Sequence, residues 1–293
     1  MQAIKTIGFI GVGVMGEPMC RHLAQKSGAA VLACDRDGAP LARLAECGVR
    51  AATMAEVSAQ ADIVFLSLPS GEVVESVVLG ENGLLAGGRA GQIIVDLSTS
   101  TMNTARKAAE ALAARGMKFA DAPVMRTRAA AEAGTLAVPV GADDALFALV
   151  APFIRMFASD VVHAGGVGAG QVVKILNNMV LYETVLALSE ARAIGVRAGL
   201  SPQGLFEALS IGSADSFALR NHGMKAIAPQ VFPERAFPVT YARKDISYAV
   251  ALADQLGVEA TGAKNLMNCL DQAIEAGHGD KYAPAISLVF EGK

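Results

Sequence analysis

Two groups of residues in this sequence have types and spacings that can do chemistry. The first is Gly11-Val12-Gly13-Val14-Met15-Gly16, a GxGxxG hexad directly after the apolar run Thr6–Ile10. In such a turn the first glycine permits the tight bend and the second lets backbone approach a pyrophosphate. The third allows close strand–helix packing. The helix that follows, read over Glu17–Gln25, presents N–H groups and a positive dipole end to phosphate. Asp35 stands 19 positions after Gly16, at the end of the second apolar run. A carboxylate there accepts from ribose hydroxyls and repels a 2′-phosphate, which favours NAD. Arg36 beside it can hold a 2′-phosphate, so NADP stays open. The competing reading of Asp35 is a solvated turn residue, since Asp37-Gly38 follow almost directly. Leu68-Pro69 and Ser98-Thr99 fall after later apolar runs, where doubly wound sheets place ligand-contacting loops.

The second group lies on a helical pattern running from Gln171 to Arg197. Gln171, Lys174, Asn177 and Asn178 recur at spacings of three and four, so they share one stripe. The apolar residues around them (Val172, Val173, Ile175, Leu176, Met179, Val180, Leu181) cover nearly the whole circumference, which predicts burial on most sides. A buried ammonium is costly unless paired or used. The plainer alternative is a stripe that faces solvent. Hydride transfer to a carbonyl leaves an alkoxide, and Lys174 can polarise that oxygen and donate its proton. Asn178, one turn on, can hold the lysine or the substrate in register. Alcohol oxidation needs the neutral amine, and an ordinary lysine titrates near about 10.4. Oxidation is therefore expected to speed up towards alkaline pH, and reduction to work nearer neutrality. The chemistry calls for no metal, and His22, His163, His222 and His278 are isolated, without ligand spacing.

Positioning these groups requires a particular order of elements. Strands are predicted at Thr6–Ile10, Ala30–Cys34, Ile63–Ser67, Ile93–Leu97, Lys118–Asp121, Leu136–Val140 and Asp160–His163. Amphipathic helices such as Thr104–Arg115 and Asp143–Phe157 lie between them. That alternation reads as βαβ units around a doubly wound, mostly parallel sheet. After the glycine-rich stretch 164–170 the chain reads as helix upon helix: Gln171–Arg197, Pro202–Ser210, Ser216–Met224, Ala242–Leu256 and Gly262–Ala276. The expected division is a dinucleotide-binding α/β domain over 1–164 and an all-helical substrate and oligomerisation domain over 165–293, with the site where they meet.

Composition supports this and excludes other classes. The 293 residues are 53% hydrophobic and 18% charged, enough for sizeable cores and too apolar for a disordered chain. A net charge of −3 gives no broad basic field, so nucleic acid is not an expected partner. No uninterrupted run of about 18 apolar residues occurs, so a membrane span is expected to be excluded. The N-terminus lacks a signal-peptide layout. Cys20, Cys34, Cys47 and Cys269 suit neither a disulfide scaffold nor a CxxC site, and read as small buried hydrophobes. The expectation is a soluble cytoplasmic protein. Its apolar, Ala-rich helical half predicts a homodimer or homotetramer.

Several blocks in order resemble the β-hydroxyacid dehydrogenase family over essentially the whole chain. They are the 8–16 segment, Asp96-Leu97-Ser98-Thr99-Ser100, Asp121-Ala122-Pro123-Val124, Gly134-Thr135-Leu136, Lys174-Ile175-Leu176-Asn177-Asn178 and Lys244-Asp245. The resemblance implies an NAD-dependent enzyme that interconverts a short β-hydroxy acid and its semialdehyde. It implies Lys174 as the catalytic lysine with Asn178 supporting it, Lys244 and Thr99 against the cofactor, and Phe237 as an apolar wall of the substrate site. Most members follow the Asp-x-Pro-Val block with Ser-Gly-Gly, which holds the substrate carboxylate. Met125-Arg126-Thr127 stands there instead and is similar to a minority branch with Gly-Arg-Thr that includes sulfolactaldehyde reductase. Arg126 can grip a carboxylate or sulfonate bidentately, joined by Ser98, Asn177 and Thr127. The alternative is a surface arginine that touches nothing. Leu181, where that branch has a serine, counts against a sulfonate. An imine reductase shares the architecture but generally replaces the lysine. A non-catalytic nucleotide-sensing protein is the remaining alternative.

Overall fold

The computed structural model describes residues 4–234 and 236–291. Among these, eight strands form one sheet: β1 (Thr6–Ile10), β2 (Ala30–Cys34), β3 (Arg50–Ala51), β4 (Ile63–Leu66), β5 (Ile93–Asp96), β6 (Lys118–Asp121), β7 (Leu136–Gly141) and β8 (Ala158–Gly165). Their order is β3-β2-β1-β4-β5-β6-β7-β8. Every pairing from β3 across to β6 is parallel. β6 and β7 meet antiparallel through Asp121 opposite Gly141, and β8 runs parallel to β7. The order reverses between β1 and β4, so the carboxyl edge there is the switch point at which such sheets bind ligands.

Strand side chains alternate, and helices cover both faces. Ile7, Phe9, Ile63, Phe65, Ile93 and Val95 feed one core, while Ile10, Val64, Leu66 and Ile94 feed the other. Each such side chain, fully buried, stabilises the fold by about 1.5–3 kcal/mol. The helices are α1 (Gly16–Lys26), α2 (Gly38–Ala45), α3 (Met54–Gln60), α4 (Gly71–Leu79), α5 (Leu84–Gly87), α6 (Met102–Ala113), α7 (Arg128–Ala133) and α8 (Asp144–Ile154). Side chains of Asp37, Thr53, Ser70, Thr101, Thr127 and Asp143 accept N–H bonds at six of their N-termini. Such caps set where a helix begins and contribute about 1 kcal/mol each.

Two compact units divide the chain, the first ending at Lys174 and the second starting at Ile175. The boundary falls inside the 29-residue helix α9 (Ala169–Arg197), which therefore belongs to both. The second unit adds α10 (Pro202–Ser210), a π-helical segment Leu219–Ile227, α11 (Val239–Gln255), α12 (Thr261–Ala273) and a 3₁₀ segment Ala283–Phe290. Its core includes Tyr182, Val185, Phe206, Leu219, Ile246, Leu266 and Ile286. An α/β Rossmann domain with a helical C-terminal region is thus the observed fold class.

Helix α9 departs from its predicted burial. Val173, Leu176 and Val180 are 40%, 42% and 59% exposed, whereas Gln171 and Asn178 are 0% and 4% exposed. Gln171 and Asn178 are buried because their amides find partners, described below, so the usual cost of burying them is not incurred. Lys174, by contrast, is half-buried and Asn177 is exposed. By length and composition α9 is also apolar enough to cross a membrane, so the missing 18-residue run does not by itself exclude a span. Two buried, hydrogen-bonded amides within its first ten residues instead mark a helix packed on protein.

Candidate active site

The loop between β1 and α1 is shaped by three different glycine requirements. Gly11 has φ +88°, and a Cβ there would lie 2.2 Å from the Ser67 carbonyl oxygen. A Cβ on Gly16 would lie 2.0 Å from the Gly11 carbonyl oxygen. One on Gly13 would meet nothing within 4 Å. Gly11 and Gly16 are thus required by packing, and Gly13 keeps space open at the mouth of the loop. Gly13 and Val14 are exposed, Met15 is half-buried, and no side chain caps α1. In its first turn the Glu17 N–H is bonded to the Gly13 carbonyl at 3.0 Å, and Pro18 has no N–H. What fits a pyrophosphate here is the exposed Gly13-Val14 backbone together with the positive end of the helix dipole. The Asp35 carboxylate accepts the Val12 N–H at 2.6 Å on one oxygen and the Asp37 N–H at 2.9 Å on the other. Each oxygen retains a lone pair for a ribose hydroxyl. Asp35 is therefore a tether of the glycine loop and not merely a solvated turn residue. Arg36 is exposed beside it.

Next along the carboxyl edge lie the ends of β4, β5 and β6. The Ser98 hydroxyl accepts the Leu68 N–H at 2.9 Å, tying the Leu68-Pro69 loop to the Ser98-Thr99 loop. Asp96 accepts the Ser98 N–H at 2.9 Å, and the Ser100 hydroxyl donates to its other oxygen at 3.4 Å. Burial pushes the Asp96 carboxyl up to about 7, against the pull of those bonds. Burial also raises Asp121, to about 6, opposed by backbone N–H bonds from Gly168, Gln171 and Gly170. Gln171 donates from Nε2 to the Ser98 carbonyl at 2.8 Å and accepts the Ser100 N–H at 2.9 Å. Its amide thereby brackets Thr99. Lys174, half-buried, stands one turn further along α9.

In the second unit a separate network surrounds the buried Asp245. Asn177 Nδ2 donates to Asn178 Oδ1 at 3.0 Å, and Asn178 Nδ2 donates to Asp245 Oδ2 at 2.6 Å. The other oxygen, Oδ1, lies 3.1 Å from Lys244 Nζ, a charge contact without hydrogen-bond geometry. The same ammonium sits 5.7 Å from the Tyr241 ring centre and 5.4 Å from that of Tyr248, within cation–π range. Phe237 stacks on Tyr182 at 5.8 Å and meets Tyr241 edge-on.

The Met125-Arg126-Thr127 loop does not present the open guanidinium fork that the sequence suggests. Arg126 Nη1 donates to the Thr135 carbonyl at 2.6 Å and to Ser159 Oγ at 2.9 Å. Nη2 pairs with Asp160 at 2.8 Å. Nor does this arginine touch nothing. It holds φ +83°, an unusual conformation for a non-glycine residue. Met125 bridges to Ala137, and Thr127 caps α7. Of the cysteines, Cys20 and Cys269 are buried, while Cys34 and Cys47 are only half-buried.

The structure thus brings Gly11, Gly13, Gly16, Asp35, Leu68, Ser98 and Thr99 to one sheet edge, with Lys174 on the helix bonded to it. Asn177, Asn178, Lys244 and Asp245 form a second cluster. Sequence reasoning assigned no role to Asp96, Asp121, Gln171 or Asp245. Their signal was membership of the blocks that carry the resemblance, for Asp96, Asp121 and Asp245, and a place on the polar stripe of Lys174, for Gln171.

Residues 6–166 match the family model of the NAD binding domain of 6-phosphogluconate dehydrogenase. Residues 168–288 match that described as the NAD-binding part of NADP-dependent 3-hydroxyisobutyrate dehydrogenase. A 3-hydroxyisobutyrate dehydrogenase of Pseudomonas aeruginosa is 36% identical over 298 aligned residues, covering 98% of this chain and 99% of that one. A 2-(hydroxymethyl)glutarate dehydrogenase of Eubacterium barkeri is 37% identical over 251, covering 85% and 83%. Among solved structures, a Mycobacterium tuberculosis 3-hydroxyisobutyrate dehydrogenase with L-serine superposes with a TM-score of 0.89 at 28% identity, covering 99% of this chain and all of that one.

Proposed function

Because the chain belongs to the β-hydroxyacid dehydrogenase family, of the 3-hydroxyisobutyrate dehydrogenase type, we propose that it interconverts a short β-hydroxy acid and its semialdehyde. The cofactor is a nicotinamide dinucleotide, NAD with NADP possible. The residues that would hold it are the Gly11–Gly16 loop, Asp35 and Arg36, the Leu68-Pro69 loop, Thr99 and Lys244. When bound, the nicotinamide supplies or takes up the hydride at the substrate carbon.

One observation carries the assignment of the proton-handling group. Gln171 bonds both sides of Thr99, and Lys174 follows it by one helical turn. In reduction Lys174 donates a proton to the substrate oxygen, and in oxidation it takes one from the hydroxyl. Asn178, held by Asp245, supports it. Ser98, Met125, Arg126, Thr127, Asn177 and Phe237 are assigned to the substrate. For Arg126 this role requires its guanidinium to leave Asp160. The proposed functional division is 1–164 for the dinucleotide and 165–293 for substrate and self-association, in a cytoplasmic homodimer or homotetramer.

The test is turnover of NAD against 3-hydroxyisobutyrate, 2-(hydroxymethyl)glutarate, L-serine and a sulfonate-bearing analogue, followed by absorbance of the reduced nicotinamide. At least one carboxylate is expected to react, faster towards alkaline pH. Lys174→Ala is expected to lose at least about 100-fold in kcat, the lower range for a general acid–base group. Wild-type turnover in that variant would refute the assignment, and a response to the sulfonate alone would move the substrate class.

A further inference from the structure

Helix α9 starts in an unusual way. The side chain that satisfies its first N–H groups comes from far away in sequence, the last residue of β6. Asp121 is fully buried, and its carboxylate spans the helix start. One oxygen accepts the Gly168 N–H at 2.6 Å and the other the Gln171 N–H at 2.8 Å. A carboxylate there meets both the unpaired donors and the positive end of the helix dipole. Two glycines leave room for it. A Cβ on Gly141 would lie 2.3 Å from Asp121 Oδ1, and one on Gly170 would lie 2.7 Å from the Pro139 carbonyl and 2.8 Å from that of Asp121. Gln171 then fastens the same turn to the Ser98–Ser100 backbone through both ends of its amide. Both side chains are buried, with their polar atoms matched, which makes a stiff joint.

We propose that Asp121 and Gln171 are positioning residues that lock the first turn of α9 to the Ser98–Ser100 loop and thereby set where the Lys174 ammonium stands relative to Thr99. The inference rests on the reading of Lys174 as the proton-handling group. It goes beyond that reading by naming what holds the group in place. Neither residue touches the reacting atoms. A misplacement of about 1 Å costs as much as roughly 100-fold in rate, so a joint of this kind shows in kcat.

The test is a double-mutant cycle between Gln171→Met, which keeps the shape but has no amide, and Lys174→Ala. Residual turnover is measured at high enzyme concentration, with thermal unfolding as the control for folding. Gln171→Met is expected to lower kcat by roughly 10- to 100-fold in the wild-type background and by less than about twofold once Lys174 is gone, since contacting or chained residues are non-additive. Equal factors in the two backgrounds, or no loss of kcat in Gln171→Met, would overturn the proposal. If Gln171→Met does not fold, Gln171→Glu keeps an oxygen for the Ser100 N–H and is read by the same comparison. Wild-type turnover in Lys174→Ala alone would instead sink the underlying assignment, so the two failures are distinguishable.

Discussion

Asp245 shows how a residue without an assigned role can hold one for which a role is proposed. Its carboxylate is 1% exposed, and one oxygen is the acceptor that Asn178 Nδ2 needs. Asp245→Ala removes this acceptor from a buried amide, and an expected loss of about 1–3 kcal/mol follows. Asp245→Asn retains a carbonyl acceptor and is expected to recover most of it in urea unfolding. Equal losses in both variants would shift the weight to the charge contact with Lys244. At this scale the sequence displayed Lys174, Asn178, the glycines and Asp35, because residue type and local spacing carry their chemistry. It could not display what holds them. Asp121 and Gly168 are 47 positions apart, Asn178 and Asp245 are 67, and Ser100 and Gln171 are 71.

Among the elements, the β1–α1 loop separates the needs of the fold from those of the ligand. Gly11→Ala meets both a left-handed φ and a backbone oxygen at 2.2 Å, and is expected to cost about 1–3 kcal/mol in stability. Gly13→Ala meets open space, so its melting midpoint is expected to stay at the wild-type value while NAD affinity falls. Titration calorimetry beside thermal unfolding checks both, and unchanged NAD binding by Gly13→Ala would remove the loop from the phosphate site. At the end of β5, Asp96 carries a pH signature. Its folded value of about 7 lies above its ordinary 3.8, so between those values the native carboxyl keeps a proton that the unfolded chain releases. Stability from this group is full below about pH 4 and is lost as pH rises to about 7, by an amount on the order of 4 kcal/mol. The unfolding free energy of Asp96→Asn, compared with wild type over that range, is expected to lack this decline. Parallel curves would contradict it. Element positions were largely legible. Thr6–Ile10, Ala30–Cys34, Lys118–Asp121 and Pro202–Ser210 agree residue for residue. The two-residue β3 was not legible, since two residues carry no period. The helix read at Ser216–Met224 appears as the wider π-helical turn Leu219–Ile227.

For the whole molecule, ligand binding and stability are linked. A dinucleotide that binds only the folded chain raises its unfolding free energy by about 2.7 kcal/mol at 100 times Kd. NAD is expected to raise the melting midpoint more than NADP at equal concentration, because Asp35 repels a 2′-phosphate. Equal shifts would mean that Arg36 offsets it. The amino-acid sequence by itself determined the fold class, the nicotinamide-dinucleotide class of cofactor and the family. Those follow from periodicity, glycine spacing and ordered motifs, which are local or are preserved along the chain. Only the tertiary structure decided which side of α9 is buried, where the Arg126 guanidinium goes and what anchors the turn before Lys174. Burial of a polar side chain depends on whether a partner from a distant strand or helix arrives to satisfy it, and no local pattern contains that partner.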